Sequence, residues 1–366
     1  MSIFISILSD NEDDIALVFV RTIKVRGKGK GRKKVDMCLS VYVRVLILFI
    51  GVACALDIPK IIYGTAWKGE ETQRFVVEAL QMGFRAIDVA CQPKHYNEPG
   101  VGKALQQVFA EQWLQRENVF LQTKFTPIRG QDPNDIPYDK HAPLEEQVKQ
   151  SFMASLRNLK TDYLDSLVLH SPMPTIEETI QVYRIFESFH LQGKVKYLGI
   201  SNCYDVNVLR ALYDAARVKP TFIQNRFYRK SGFDTDIRAF ASEHCMVYQS
   251  FWTLTANRKF IAGPLMREMS HKYKRTTEQV FFAFVRHLGV IPLSGTKQTA
   301  HMQEDLDVVG QGANPNPNAQ PNPNPNPNAN ANANPNPNPD RLGNGPELVL
   351  DLLDFDNIEK ALHIHD

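Results

Sequence analysis

Three ionisable residues stand at the carboxyl ends of consecutive strand-like runs in this sequence. Asp88 ends the second run, FRAID, Lys124 ends VFLQTK, and His170 ends SLVLH, while Tyr96 follows in the loop KHYNE. A tyrosine hydroxyl has a reference pKa of about 10 and is a poor acid near neutrality. An ammonium such as that of Lys124 would lower this pKa, and Asp88 would keep the ammonium charged and oriented. With His170 binding a substrate oxygen or relaying a proton, the set suits protonation of a carbonyl oxygen as hydride reaches the carbon.

Each of these four residues also has an ordinary structural explanation. A strand-end aspartate often caps a helix, and a lysine in a strand often extends its stem toward solvent. A histidine before Ser-Pro often bonds within a turn, and Tyr96 could simply anchor its loop. Their joint position at the ends of strands two, three and four is what favours a shared site.

Residues this far apart in sequence can meet only if their strands end at a common edge. Eight strand-like runs alternate with helix-like runs between Pro59 and Leu306, and they are KIIYGTA, FRAIDVA, VFLQTKF, LDSLVLH, VKYLGIS, TFIQN, MVYQSFW and VIPLSG. Eight such units need a parallel sheet covered by crossover helices. We therefore predict a single-domain α/β protein with the (β/α)8 TIM-barrel fold, which gathers its strand ends around one pocket. No GxGxxG follows the first strand, which argues against a Rossmann domain.

The first segment of the chain does not resemble the rest. Residues 1–56 contain a basic run and an apolar stretch of about twelve residues, whereas a membrane span needs roughly twenty. The stretch also resembles the apolar part of a signal peptide, but it lies far from Met1. We interpret residues 1–56 as a leader outside the fold, disordered or wrongly predicted from the gene, with secretion or membrane anchoring as the alternative. Residues 57–309 then form the barrel.

In a second unusual segment, residues 310–345, positions 310–339 consist almost wholly of Asn, Pro and Ala in alternation. Such a composition buries too little apolar area to offset chain entropy, so we predict disorder. Residues 346–366 return to an amphipathic helical pattern, and we expect that helix to pack on the barrel. The repeat is then an insertion between two terminal helices, which surface loops tolerate at small entropic cost.

The composition of the chain limits the kinds of partner and the cellular compartment that we expect. A formal net charge of +2 gives no argument for a nucleic-acid partner. Five cysteines, an odd number without a Cys-x-x-Cys pair, favour a reducing compartment, so we expect a cytoplasmic protein without membrane association. Apart from His363 and His365 at the end of the chain, the sequence has no clustered ligand set such as His-x-His, so we predict no metal site. A metal-dependent barrel hydrolase using His170 and Asp88 is a weaker alternative for the same reason.

The chain resembles the aldo-keto reductase superfamily over residues 59–307 and the final helix. The segments that carry the resemblance are GFRAIDVA, HYNEPGVGKAL, VFLQTKF, LRNLKTDYLDSLVLH, GKVKYLGISN, FIQN and HMQEDL. The resemblance implies the family's catalytic tetrad at Asp88, Tyr96, Lys124 and His170. Tyr96 would then be the general acid that reduces a small aldehyde or ketone to an alcohol. Lys124 and Asp88 would tune it, and His170 would orient the carbonyl, in what we expect to be a monomer.

The same resemblance implies NADP(H) as the cofactor, with NAD also possible. Ser201 and Asn202, after the fifth strand, match residues that hold the nicotinamide carboxamide, as does Gln224 after the sixth. Phe251 matches the aromatic ring that stacks on the nicotinamide. After the eighth strand, SGTKQTAHMQEDL is implied to hold the adenosine phosphates, and amides at a helix start together with Lys297 give a physical reason. The residues assigned there are Ser294, Thr296, Lys297, His301, Glu304 and Asp305.

Three departures from the family pattern bear on these assignments. The loop from Asp88 to Tyr96 is longer than the common pattern, so His95 competes with Tyr96 for the pocket. His301 and Asp305 stand where NADP-preferring members usually carry Arg and Asn, which weakens recognition of the 2′-phosphate. Little sequence follows the last helix, so we expect an open and permissive substrate pocket.

Other interpretations stay open at this point. Ser201 and Asn202 could merely cap the following helix, and Phe251 could be loop packing. Some barrels with these motifs resemble regulatory subunits of channels, in which the cofactor acts as a sensor and turnover is slow. An inactive product of a damaged gene is a further alternative, because of the leader and the repeat.

Overall fold

The computed structural model describes residues 58–311 and 346–363 of the 366-residue chain. The predictions for the leader and for nearly all of the Asn/Pro repeat lie outside these described residues. Within the described ranges, none of the helices has the length and apolar character needed to cross a membrane.

Eight parallel strands close into a barrel in the order in which they occur along the chain. They are β1 Ile62–Gly64, β2 Ala86–Asp88, β3 Phe120–Phe125, β4 Leu164–Leu169, β5 Val195–Ser201, β6 Phe222–Arg226, β7 Val247–Phe251 and β8 Ile291–Ser294. The barrel is closed by β8, which pairs with β1 so that Leu293 lies opposite Ile62. The predicted (β/α)8 barrel is therefore confirmed.

Helices connect the strands and cover the outside of the barrel. They are α1 Thr72–Met82, α2 Glu98–Ala110, α3 Leu144–Leu159, α4 Ile176–Leu191, α5 Val206–Ala215, α6 Thr235–Glu243, α7 Arg258–Ile261, α8 Pro264–Tyr273, α9 Thr277–His287, α10 Thr299–Val308 and α11 Leu352–His363. Because helices cover the outer face, central strands are buried on both sides. All of Leu164–Leu169 in β4 is buried, for example.

The interior of the barrel changes from apolar to polar along the strands. An apolar cluster, contributed mainly by the first residues of strands, contains Ile62, Ala86, Phe120, Phe222, Ile291 and Leu293. Two residues further along their strands, the inward positions carry Asp88, Gln122, Gln224 and Gln249. The carboxyl ends of the strands therefore open onto a polar layer that rests on an apolar floor.

The segment before α11 lies next to the end of α10, the last helix before the gap in the described residues. The Leu348 amide donates to the Val308 carbonyl at 3.0 Å, which joins the segment before α11 to the end of α10. Phe355 of α11 then packs on α9, with its ring centroid 5.2 Å from that of Phe284. Both ends of the segment 312–345 are thus fixed to the same side of the barrel.

Candidate active site

Asp88 and Lys124 form an ion pair inside the barrel. Lys124 Nζ lies 2.7 and 2.6 Å from the two carboxylate oxygens and 2.8 Å from the Val89 carbonyl oxygen. The two side chains are almost fully buried, so all three protons of the ammonium meet protein acceptors. Burial lowers the pKa of Lys124 from its ordinary value, although Asp88 opposes that shift.

Three glutamines, which we call the glutamine belt (Gln122, Gln224 and Gln249), surround this pair. Gln122 Nε2 donates to Asp88 Oδ1 at 2.8 Å, and Gln224 Nε2 donates to the same oxygen at 3.0 Å. Gln249 Oε1 accepts from both amides, at 2.8 Å from Gln122 and 3.0 Å from Gln224. Gln122 and Gln249 were missed in the sequence, where a polar residue inside a strand looks solvent-facing. Buried polar groups need partners, and here the belt and Asp88 satisfy one another.

Tyr96 stands over the ion pair. Its ring centroid lies 5.2 Å from Lys124 Nζ and 5.9 Å from the centroid of the His170 ring. Burial, with a smaller contribution from Asp88, raises the pKa of Tyr96 above its ordinary value. The expected net lowering of this pKa beside Lys124 is therefore not found, because loss of water around a phenolate is the largest effect. Tyr96 therefore carries its proton at neutral pH.

The long loop after β2 separates His95 from Tyr96. The Gln92 carbonyl accepts from the amides of both residues, at 3.1 Å from His95 and 3.0 Å from Tyr96, which closes the extra residues into a turn. The His95 ring stacks on Trp67 with centroids 3.7 Å apart. The structure thus brings Tyr96 over Lys124, whereas His95 lies against Trp67.

His170 is held at the edge of the Tyr96 ring by neighbours on two strands. Its Nδ1 lies 2.6 Å from Thr126 Oγ1, and its carbonyl accepts from Asn202 Nδ2 at 2.8 Å. Burial, followed by the charge of Lys124, lowers the pKa of His170, so the ring is neutral. The contact with Thr126 occupies Nδ1 and leaves Nε2 for another partner. Thr126, directly after β3, was also missed from the sequence.

The residues expected to hold a nicotinamide lie beside this group. Ser201 Oγ donates to the Gln224 carbonyl at 2.7 Å, and the Asn202 amide donates to the same oxygen at 3.1 Å. Asn202 has a left-handed φ of 51°. Helix α5 is capped by Asp205, so the alternative in which Ser201 and Asn202 cap it is wrong. Phe251 ends β7 and is half-buried at the same edge of the sheet.

The segment after β8 contains the six residues assigned to the adenosine phosphates. Ser294 Oγ donates to Asp305 Oδ2 at 2.5 Å, and burial raises the pKa of Asp305 to about 7. Burial also raises the pKa of Glu304, which is half-buried in α10. Lys297 and His301 are exposed. In this segment Lys297 and His301 are therefore on the surface, whereas the carboxyl group of Asp305 is buried.

Lys68, in the connection after β1, completes this region and was missed in the sequence. It is only 4% exposed, and its Nζ donates to the Gly295 carbonyl at 3.0 Å. The Tyr63 hydroxyl donates to the neighbouring Thr296 carbonyl at 2.9 Å. Burial and the charge of Lys297 lower the pKa of Lys68 to about 7. Among the described residues no carboxylate pairs with Lys68, so this donor set fits an anionic group such as a phosphate.

Comparisons with known proteins agree with this arrangement. A family model described as "Aldo/keto reductase family" matches residues 60–244, which is half of the chain. Methylglyoxal reductase DkgA of Escherichia coli (strain K12) is 25% identical over 240 residues, covering 65% of this chain and 79% of that protein. An aldo/keto reductase structure from Brucella melitensis matches with a TM-score of 0.61 at 24% identity, covering 83% of this chain and 95% of that one. A Bombyx mori aldo-keto reductase solved with NADP matches at 0.57 and 19% identity, covering 68% and 83%.

Proposed function

Because the chain belongs to the aldo/keto reductase family and is thus an NAD(P)H-dependent oxidoreductase, we propose that it reduces small aldehydes or ketones to alcohols with NADPH. The observation that carries this proposal is the buried Asp88–Lys124 pair beneath the ring of Tyr96. The name of the Escherichia coli relative and the NADP in the Bombyx mori structure point to the same chemistry.

The cofactor residues are proposed on the chemistry of their donor and acceptor atoms. A bound NADPH would supply the hydride. Ser201, Asn202 and the free oxygen of the Gln224 amide would hold its carboxamide, and Phe251 would stack on its ring. The phosphates would be held by Lys68 together with Ser294, Thr296, Lys297 and His301, and Glu304 and Asp305 would lie at the same adenosine end of the cofactor.

Tyr96 is proposed as the general acid. Its raised pKa keeps the proton on the hydroxyl until a carbonyl oxygen gains negative charge. The proton then passes from Tyr96 to that oxygen, and the phenolate left behind lies over the Lys124 ammonium. Asp88 and the glutamine belt keep this ammonium fixed before the reaction begins, so little reorganisation is needed.

His170 is proposed to orient the substrate. In this proposal Thr126 donates to Nδ1, so that Nε2 carries the proton and donates to the carbonyl oxygen beside Tyr96. Because the ring is neutral, it does not compete with Tyr96 as an acid. Monomeric state, cytoplasmic location and the absence of a nucleic-acid partner stay predictions.

The test is turnover of NADPH by the purified protein against small aldehydes and ketones, with NADH alongside. Tyr96→Phe should lower kcat by about 10²–10⁴-fold because it removes the acidic proton, while NADPH affinity stays within twofold. His95→Phe is the matched control and should keep its activity, because His95 packs on Trp67. Full activity in Tyr96→Phe would refute the assignment of Tyr96 as the general acid. Tight NADPH binding without turnover in the wild type would instead favour a regulatory protein.

A further inference from the structure

Arg226 is a cation at the mouth of the barrel that none of the steps above uses. It is the last residue of β6 and follows Gln224 by two positions, so both side chains point to the inner face. In the sheet Arg226 lies opposite Phe251, the ring proposed to stack on the nicotinamide. Its charge is therefore close to the proposed reacting end of the site.

Three aromatic rings surround the guanidinium of Arg226. Its Cζ lies 4.2 Å from the ring centroid of Trp252, 5.2 Å from that of Tyr228 and 5.9 Å from that of Phe251. Trp252 is 46% exposed and has a left-handed φ of 55°. The rings stabilise the cation through their π faces, but they supply no hydrogen-bond acceptor for its N–H groups.

The charge of Arg226 has no acidic partner in the described part of the chain. Its Nε is buried without a hydrogen-bond partner. Arg116, also mostly buried, instead meets Asp165 at 2.9 Å. A guanidinium that is held in place by aromatic rings, with its donors unused, is complementary to a planar anion.

We propose that Arg226, held by Trp252, binds a carboxylate of the substrate, so that the preferred substrates are carbonyl compounds that carry a carboxylate. This proposal rests on the proposed reductase function and names its substrate class. The cofactor phosphates have their own cations, Lys68 and Lys297, at β1 and β8. Arg226 lies instead beside Phe251, at the nicotinamide end, where a substrate must enter.

The first measurement compares 4-carboxybenzaldehyde with its uncharged ester, methyl 4-formylbenzoate, as substrates. A hydrogen bond to a charged group contributes about 1.5–3 kcal/mol, which corresponds to roughly 10- to 100-fold in affinity. Arg226→Gln should therefore raise KM at least tenfold for the carboxylate and less than twofold for the ester. Arg226→Lys, which keeps the charge but not the planar fork, should fall between the two. Lys230→Gln removes an exposed cation close by in sequence and should change neither KM.

The second measurement needs no turnover. Benzoate and benzamide are titrated by calorimetry into the protein loaded with NADP, and NADPH affinity is measured separately for each variant. We expect benzoate to bind the wild type and to bind Arg226→Gln at least tenfold more weakly, with benzamide and NADPH unaffected. Equal benzoate binding in both proteins overturns the proposal, as does a loss confined to NADPH, which would assign Arg226 to the cofactor. Arg226-dependent benzoate binding in a protein without reductase activity would retain the carboxylate site and refute only the reductase function.

Discussion

Two buried lysines, Lys68 in the connection after β1 and Lys124 in β3, have very different partners for the same charge. Lys124 has all three protons on protein oxygens, two of them from Asp88. Lys68 is nearly as buried but donates to a single carbonyl, and it faces the like charge of Lys297. The first site is complete in the protein alone, whereas the second is the one that we propose an anionic group of the cofactor completes.

The difference matches the proposed roles, since Lys124 would act in catalysis and Lys68 in binding the cofactor. A preorganised ion pair under Tyr96 needs no rearrangement when charge develops on a substrate oxygen. A buried lysine without an acidic partner instead favours the binding of an anion, because a phosphate would offset the cost of desolvation that the Gly295 carbonyl and the Tyr63 ring offset only in part. Buried charges are stabilising or destabilising according to such partners.

Replacing Lys124 should produce the largest effect. Lys124→Met leaves Asp88 buried without its cation, which costs about 3–5 kcal/mol in the free energy of unfolding, and turnover should be lost. Urea unfolding and kcat measure the two effects. The double variant Asp88→Asn with Lys124→Met should recover most of the stability and none of the activity. Recovery of activity in the double variant would contradict a role for the pair in tuning Tyr96.

The glutamine belt extends the comparison to neutral groups. Gln249→Leu removes the acceptor of two buried amides, those of Gln122 and Gln224, and should cost about 1–3 kcal/mol of stability. Because the Gln224 amide then keeps only its bond to Asp88, it is held less firmly and NADPH affinity should fall as well, although Gln249 is not one of the proposed ligands. Gln106→Leu, at an exposed position of helix α2, is a control for the substitution itself. Unchanged NADPH affinity in Gln249→Leu would limit the belt to a structural role.

Replacing Lys68 should change the free energy of unfolding in the opposite direction to replacing Lys124. Lys68→Met removes a desolvated cation that has no acidic partner, so the free energy of unfolding should rise rather than fall. NADPH affinity should decrease by about tenfold or more, because a charge-assisted contact to phosphate is lost. Thermal unfolding without ligand and fluorescence titration with NADPH measure the two changes. A destabilised Lys68→Met protein would show that the two lysines do not differ in the proposed way.

The pH dependence of NADPH binding is the smallest expected effect. Lys68 has a pKa lowered to about 7, and Asp305 has a pKa raised to about 7. As pH rises through this value, Lys68 loses its positive charge and Asp305 gains a negative one, so NADPH affinity should fall by several-fold between pH 6 and pH 8. The dependence should be reduced in Lys68→Met and further reduced when Asp305→Asn is added. An affinity independent of pH in the wild type would contradict both titrations.

The barrel itself was predictable because its strands have a strong and simple pattern. Most positions in each buried run, such as VFLQTKF or LDSLVLH, are apolar, as is typical of parallel strands covered on both faces. The strands are shorter than these runs at β1, β2 and β8, which have three, three and four residues. The excess residues, such as Val89 and Ala90, are still buried, so apolar character alone does not show where strand pairing ends.

The candidate site was only partly predictable. Asp88, Lys124 and His170 could be found because a barrel aligns the ends of consecutive strands. Gln122, Gln249 and Lys68 could not, because nothing local shows that a polar side chain points into a closed barrel. Their partners come from distant strands, so closure of the sheet must be known before such contacts can be assigned.

Because Leu348 is hydrogen-bonded to Val308, the stability of the barrel should depend little on the length of the segment between its last two helices. The chain leaves the barrel and returns to it at two residues joined by one hydrogen bond. The entropic cost of closing a flexible loop between them grows only with the logarithm of the loop length. That position is therefore a natural graft point, suited to a guest domain, a short synthetic bridge or the new termini of a circularly permuted barrel.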